Sequence, residues 1–421
     1  MQTKEKQLTG NVITCMFVPR LRAGCGLALK TMDQLSLDGA RVFLRLDLNV
    51  KLDAEGSIED DQRILAALPT LQELLEREAR LVVAAHLGRP QGKRDPALSI
   101  EPVAARLAHL LDVEVLLSED SVGDGPRKMA FALREGQLMM LENLRFYPGE
   151  TENDDGFCRQ LALLADVYVN DAFASVHRNH ASVAGVPSQV KHRGMGRQCA
   201  REVENLGKVL RKPARPFVAV VGGSRVREKV DLLLNLVGLA DVVCVGGAAA
   251  LPFLAAKGVR LGAFRPEPDA VAAADKVLRK ASKCNTALVF PMDHVVAAAA
   301  ECTCERQVAE NSNVPSGQLP LDIGPRTLER FREIAERGQT VLWNGPLGAC
   351  ELEPFAEGTR QLGRAIGRSS SFSVVVGTDT VTAVRRAGLT PFFSHVSHGA
   401  AAALKYLEGA VLPGLAALEE E

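Results

Sequence analysis

From Ala40 onward the chain repeats one pattern: a short apolar run, a polar tip, then a segment with apolar residues at helical spacing. In the first half the runs are 42–48, 81–85, 138–141 and 167–169. Their tips are Asp47-Leu48-Asn49, His86-Leu87-Gly88-Arg89, Glu142-Asn143-Leu144-Arg145 and Asn170-Asp171. Residues 64–78 and 100–111 predict amphipathic helices between them. In the second half the runs are 217–221, 242–245, 287–290, 341–343, 372–376 and 392–393. The tips there are Gly222-Gly223, Gly246-Gly247, Met292-Asp293, Asn344-Gly345-Pro346, Gly377-Thr378-Asp379-Thr380 and Ser394-His395. Continuous valine-rich runs suit strands buried on both faces of a parallel sheet. Strands alternating with helices imply βαβ units with right-handed crossovers, whose ligands bind outside the carboxyl ends of the strands.

The expected fold is therefore α/β: two doubly wound, Rossmann-like parallel-sheet domains facing a central cleft. The expected division is an extension over 1–30, a first domain over 31–195, a linker helix over 196–211 and a second domain over 212–407. The tail, 408–421, is apolar enough to pack, and the first domain is the expected partner.

One strand end stands out. After the run 217–221, Gly222 and Gly223 let the backbone turn sharply and approach a ligand. Ser224 is the expected N-cap of a helix over 226–236, so unpaired N–H groups and the helix dipole would make an anion site. Arg225 and Lys229 add positive charge beside it.

Composition narrows the field. A chain of 421 residues exceeds one compact core, and 47% apolar with 24% charged residues is ordinary for a globular protein. The formal net charge of −1 gives no global attraction for nucleic acid or acidic membrane, and 5% aromatics is too sparse for base stacking. No apolar run approaches the ~20 residues that span a bilayer. The leader mixes Lys4, Glu5, Lys6, Arg20 and Arg22 with glycines and lacks a secretory hydrophobic core; an organelle-targeting role stays open. Nine cysteines, with Cys302 and Cys304 the only close pair and no C-x-x-C, read as free thiols. A cytoplasmic monomer is expected.

The tips carry the chemistry. Arg63, His86, Arg89, Arg145 and Arg178 gather at strand ends or the loops after them. Any one of these arginines alone reads as a surface ion-pair partner. Together, in a nearly neutral chain, their bidentate forks suit a small polyanion. The second half offers glycine turns, Asn344-Gly345-Pro346, and Asp379 between two threonines. These suit nucleotide phosphates and an Mg²⁺ that keeps most of its waters. No G-x-x-x-x-G-K-[ST] occurs, which argues against a P-loop kinase. No complete G-x-G-x-x-G occurs either, which weakens a nicotinamide-dependent dehydrogenase. A purely structural or protein-binding role leaves the arginine rim unexplained.

In order along the chain, the motifs 45–49, 61–64, 86–90, 141–146, 168–173, His177-Arg178, 217–229, 321–325, 343–346 and 393–397 resemble the signatures of the phosphoglycerate kinase family. The resemblance runs from about residue 30 to the C-terminus. It implies phosphoryl transfer between 1,3-bisphosphoglycerate and ADP, or between ATP and 3-phosphoglycerate, with Mg²⁺ accompanying the nucleotide. By analogy Asp47, Leu48, Asn49, Arg63, His86, Leu87, Gly88, Arg89, Arg145 and Arg178 hold the phosphoglycerate in the first domain. Gly222, Gly223, Lys229, Asn344, Glu351, Gly377, Thr378, Asp379 and Thr380 hold the nucleotide in the second. Asp379 faces the metal, and Arg63, Lys229 and Arg225 are the catalytic charges.

The sequence departs from the family pattern mainly in the second half. Arg225 replaces a lysine, and arginine is larger and planar. After Ser397 the family has threonine and a glycine run, where this chain has His398-Gly399-Ala400-Ala401-Ala402. Alanine at any position with positive φ is strained. Ala248-Ala249, Pro320, Val376 and Thr378 also interrupt glycines, and Leu48 replaces phenylalanine. The alternative is a pseudoenzyme with an impaired nucleotide site. Asp379, Lys229 and every substrate arginine remain, which favours an active enzyme.

Overall fold

A computed structural model describes residues 29–224 and 226–419. The apolar runs form strands because both of their faces are covered. Val42, Phe43, Leu44 and Leu46 in the first strand, and Phe217, Ala219 and Val220 in the seventh, have no solvent exposure. Strands β1 (Arg41–Leu46), β2 (Arg80–Ala84), β3 (Val115–Leu117), β4 (Leu138–Met140), β5 (Val167–Asp171) and β6 (His192–Met195) lie in the order β3-β4-β2-β1-β5-β6. Every ladder in that sheet is parallel.

The second half contributes β7 (Phe217–Val221), β8 (Val242–Val245) and β9 (Ala287–Val289). Then come β10 (His294–Ala297), β11 (Gln307–Ala309) and β12 (Leu319–Ile323), and finally β13 (Thr340–Asn344), β14 (Phe372–Val376) and β15 (His395–Val396). The large sheet runs β15-β14-β13-β7-β8-β9, again all parallel. Among the described residues no helix is long and apolar enough to cross a membrane.

Four features differ from the sequence expectation. β10, β11 and β12 form a separate antiparallel sheet, where only parallel pairing is expected. The apolar stretch 295–300 that begins in β10 carries no parallel-strand signature of its own, while β11 and β12 are short and interrupted by Gln307, Pro320 and Asp322. β3 and β6 escape notice for the same reason: one has three residues, the other begins His192-Arg193. Residues Thr390–Phe392 form a 3-10 turn, and the strand of that region is His395–Val396. Finally, a 3-10 turn (Val226–Lys229) precedes the regular helix Val230–Leu239, so Lys229 and not Ser224 is its N-cap.

The helix Arg197–Arg211 connects the two sheets. Its Arg197 grips Glu73 at 2.6 Å and Asp33 at 2.5 Å, fixing its start to the first sheet's layer. Its Glu202 is fully buried: Oε1 accepts from His398 N at 2.7 Å, and Oε2 lies 2.9 Å from His395 Nε2. The tail returns to the first half. Gly414 N donates to Val176 O at 2.9 Å, and Leu412, Leu415 and Leu418 are buried.

Candidate active site

In each large sheet the two earliest neighbours of the central strand lie on opposite sides of it. β1 sits between β2 and β5, and β7 sits between β8 and β13. The strand order therefore reverses there, and a crevice opens outside the carboxyl ends. The polar tips collect at that end of each sheet, some lining the crevice and others, such as Asp171 and His395, buried in bonds behind it.

In the first sheet the tips are tied to one another before any ligand arrives. Asn49 Oδ1 accepts from Gly88 N at 2.8 Å, and Arg145 Nη1 donates to Gly88 O at 2.7 Å. Asn143 accepts from Leu87 N at 3.2 Å and donates to Leu87 O at 2.7 Å. Gly88 has φ +61°, and a Cβ there would stand 2.7 Å from Leu98, so this turn requires glycine. Behind it Arg45 Nη2 meets His86 Nδ1 at 2.8 Å, and Arg45 Nε donates to Ser182 Oγ at 2.9 Å. Arg63 forms an ion pair with Asp47. Arg89, Arg145, Arg178 and His180 line one cavity of about 440 Å³.

Too many cations share that rim. Burial first, then Arg89 and Arg45, push the Arg178 pKa down. Burial and the neighbouring arginines hold His86 well below its ordinary value and His180 at about 4, so both imidazoles are neutral at pH 7. Crowded like charges with few counter-ions are the electrostatic signature of a site awaiting an anion. Leu48 and Leu87 are core side chains, 0% and 1% exposed. Only their backbone is available to a ligand.

In the second sheet the tips of β7 and β13 interlock. Gly222 N donates to Asn344 O at 2.8 Å and Gly223 N to Pro346 O at 2.6 Å. A Cβ on Gly222 would overlap the Pro346 carbonyl, so its glycine serves tip-to-tip packing and not ligand approach. Lys229 Nζ donates to the Gly222 carbonyl, and burial lowers its pKa to about 8 against the opposing pull of Asp379 and Glu228. Gly377, at φ +90°, turns the chain into the helix Thr378–Arg386, which carries Asp379 in its first turn. Thr380 is fully buried and accepts from Gly345 N at 2.6 Å, so its hydroxyl is a structural brace. Asn344 Oδ1 is buried without a hydrogen-bond partner.

A pocket of about 600 Å³ opens in front of these tips, bordered by Gly223, Gly247, Leu321, Pro346, Glu351 and Asp379. Among the described residues no three His, Cys, Asp or Glu side chains gather to hold a metal. Asp379 lines this pocket with Glu351 and Asp322, and so few carboxylates fit a metal that arrives with the phosphates of its ligand. Arg225 lies outside the described residues.

Between the two sites runs a third cavity of about 310 Å³, with Asn49 and Arg63 on one side and Thr378, Ser397, His398 and Ala400 on the other. Arg63 therefore faces the cleft between the halves, apart from the Arg89–Arg145–Arg178 cavity.

A profile of the family "Phosphoglycerate kinase" matches residues 32–410. The chain belongs to the phosphoglycerate kinase family. It is 47% identical over 396 residues to the phosphoglycerate kinase of Anaeromyxobacter dehalogenans, covering 94% of this chain and 100% of that one. It is 42% identical to that of Moorella thermoacetica over 94% of this chain and all of the relative. Among solved structures, phosphoglycerate kinase from Coxiella burnetii superposes with a TM-score of 0.86 at 37% identity, over 93% of this chain and 99% of that one. The Pyrococcus horikoshii phosphoglycerate kinase gives 0.79 at 32% identity, over 92% and 98%.

Sequence reasoning singled out none of three further residues at the site. Arg45 lies 1% exposed in β1, and its signal was a charge between two leucines inside an apolar run. His294 borders the nucleotide-side pocket, and burial pushes its pKa to about 4. Asp322 borders the same pocket, accepts from Gly358 N and Ile323 N at 2.8 Å each, and is raised to about 7 by burial. Ala400 has φ +44°, which places the glycine-to-alanine departure at a left-handed position.

Proposed function

We infer that the protein catalyses reversible phosphoryl transfer from ATP to the carboxylate of 3-phosphoglycerate, giving 1,3-bisphosphoglycerate and ADP. The observation that carries the residue assignments is the pair of pockets at the strand ends: a cationic one beyond β2, β4 and β5, and a glycine-rich one beyond β7 and β13, with Arg63 in the cleft cavity between the halves. In this reading His86, Arg89, Arg145 and Arg178 grip the phosphate end of the acid, and Asp47 and Asn49 orient its remaining oxygens. The turns at Gly223 and Gly377, with Asn344 and Glu351, hold the nucleotide, and Gly222 packs the β7 tip against the β13 tip behind them.

Phosphoryl transfer needs little covalent help, only in-line alignment and positive charge on the moving oxygens. Arg63 supplies that charge from the acid side and Lys229 from the nucleotide side. Asp379 would hold an Mg²⁺ arriving with the nucleotide, and that ion would supply further charge neutralisation at the phosphates. Closure of the two halves then excludes water from the transferring group. One chain holds both pockets, so a monomer suffices. The seven described cysteines are all free, which supports a reducing, cytoplasmic setting.

The test is a coupled assay with ATP, 3-phosphoglycerate and Mg²⁺ beside separate calorimetric titrations of each ligand. Turnover with saturable binding of both ligands is expected. Nucleotide at ~100 times Kd should stabilise the fold by about 2.7 kcal/mol. Binding of 3-phosphoglycerate without nucleotide binding or turnover would establish a pseudoenzyme. A thermal shift with NAD and none with ADP would revive the dehydrogenase.

A further inference from the structure

Asp60 stands just before the helix Gln62–Glu76, and Arg385 in the last turn of the helix Thr378–Arg386. The first helix carries Arg63, the second Asp379. Asp60 uses both carboxylate oxygens: Oδ1 accepts from Gln62 N at 2.9 Å, and Oδ2 accepts from Arg385 Nη1 at 2.6 Å. One carboxylate thus bonds the backbone of the turn that presents Arg63 and, across the cleft, the helix that presents Asp379. Both side chains line the cavity between the halves, beside Arg63 and Thr378. Arg385 lies six positions after Asp379 on the helix Thr378–Arg386, about 9 Å along the axis.

We propose that Asp60 and Arg385 are positioning residues, a cross-cleft clasp that sets the separation of the acid-side cation from the nucleotide-side helix during transfer. The proposal rests on the assignment of Arg63 and Asp379 made above. Neither residue touches the reacting atoms, and each acts through the helix it belongs to. The pair is half exposed, 46% for Arg385 and 50% for Asp60, so its contribution is small and screened by salt. A small contribution is enough, because open and closed arrangements of two hinged halves differ little in free energy. The clasp can therefore bias closure without locking the protein shut and delaying product release.

The experiment uses the full chain with Asp60→Asn, Arg385→Gln, the double variant, and Arg385→Lys as the conservative control. Asparagine keeps an oxygen for Gln62 N, so Asp60→Asn removes the charge and spares the turn. Each single charge-removing variant should lose about two- to five-fold in kcat at low ionic strength. The double variant should lose no more than either single one, and Arg385→Lys should recover part of the loss. The affinity for 3-phosphoglycerate alone should stay at the wild-type value, since that ligand binds one half only. The ratio of wild-type to variant kcat should approach one between about 10 mM and about 1 M salt, as the screening length falls from about 30 Å to about 3 Å. Wild-type kcat in both single variants at low salt overturns the proposal. So do losses that multiply in the double variant, or losses that persist at high salt with weakened 3-phosphoglycerate binding. An unmodified protein that fails to bind 3-phosphoglycerate at all would instead sink the site assignment.

Discussion

Ala400→Gly should make the protein more stable, contrary to the usual effect of a glycine at a helix start. Ala400 opens the helix Ala400–Leu407 with φ +44°, a conformation in which Cβ crowds the following carbonyl. For a residue with a side chain that region costs about 1–2 kcal/mol. Glycine relieves this but loses more backbone freedom on folding, which returns about 0.4–1 kcal/mol. The net gain is centred on about 0.8 kcal/mol. Ala401 is the control: it is exposed one position further into the same helix and has no positive φ, so Ala401→Gly should cost about 0.5–1 kcal/mol. Two changes of one chemistry, one residue apart, are expected to have opposite signs. Urea unfolding followed by tryptophan fluorescence reads the difference, because Trp343 is the only tryptophan and lies 1% exposed in β13. An Ala400→Gly variant with a lower midpoint, or the same sign of change as Ala401→Gly, would refute the reasoning. Ala400 also borders the cavity between the halves, so removal of its Cβ should leave kcat unchanged or raised.

Gly345→Ala should cripple the nucleotide side alone. Gly345 has φ +94°, and a Cβ there would stand 2.5 Å from Lys229 Nζ and closer still to the Gly222 carbonyl. The expected cost exceeds about 1 kcal/mol by melting, with ADP affinity lost and 3-phosphoglycerate affinity kept by calorimetry. Arg178→Ala should do the reverse, weakening 3-phosphoglycerate by about 1.5–3 kcal/mol, the worth of a charged hydrogen bond, with ADP near normal, while Arg63→Ala should lower kcat more than either affinity. Equal losses for both ligands would contradict the assignment. Lys229 should give kcat/KM for nucleotide a descending limb near pH 8, where the free enzyme's ammonium deprotonates. Because its folded pKa lies below the ordinary 10.5, the unfolded chain binds more protons between about pH 8 and 10.5. The Lys229 contribution to stability therefore rises with pH across the window in which activity falls. A pH–rate profile flat from 7 to 9 would show that its charge is not needed.

Residues 217–221, 242–245 and 372–376 are legible as strands from sequence alone because burial on both faces leaves a valine-rich run, interrupted only by Ser373, which is a local signal. The tips were legible too, since a parallel α/β sheet sends its strand ends to one side and polar residues mark them. The arginine set, Lys229 and Asp379 needed nothing further to be singled out. What the tertiary structure decided are relations between distant segments. Gly222 is glycine because the β13 tip lies against it, and Thr380 is buried because it braces Gly345. Ala400 matters because the chain there turns left-handed after Glu202 of the linker helix has captured His398 N. Asp60 reads as one acid in a polar loop until Arg385, 325 positions away, is seen to meet it. Apolar periodicity is a property of ten or so neighbouring residues. Register between tips, backbone handedness at a crowded turn and pairing across a cleft depend on packing among segments from 35 to 325 positions apart, and no short stretch of sequence encodes them.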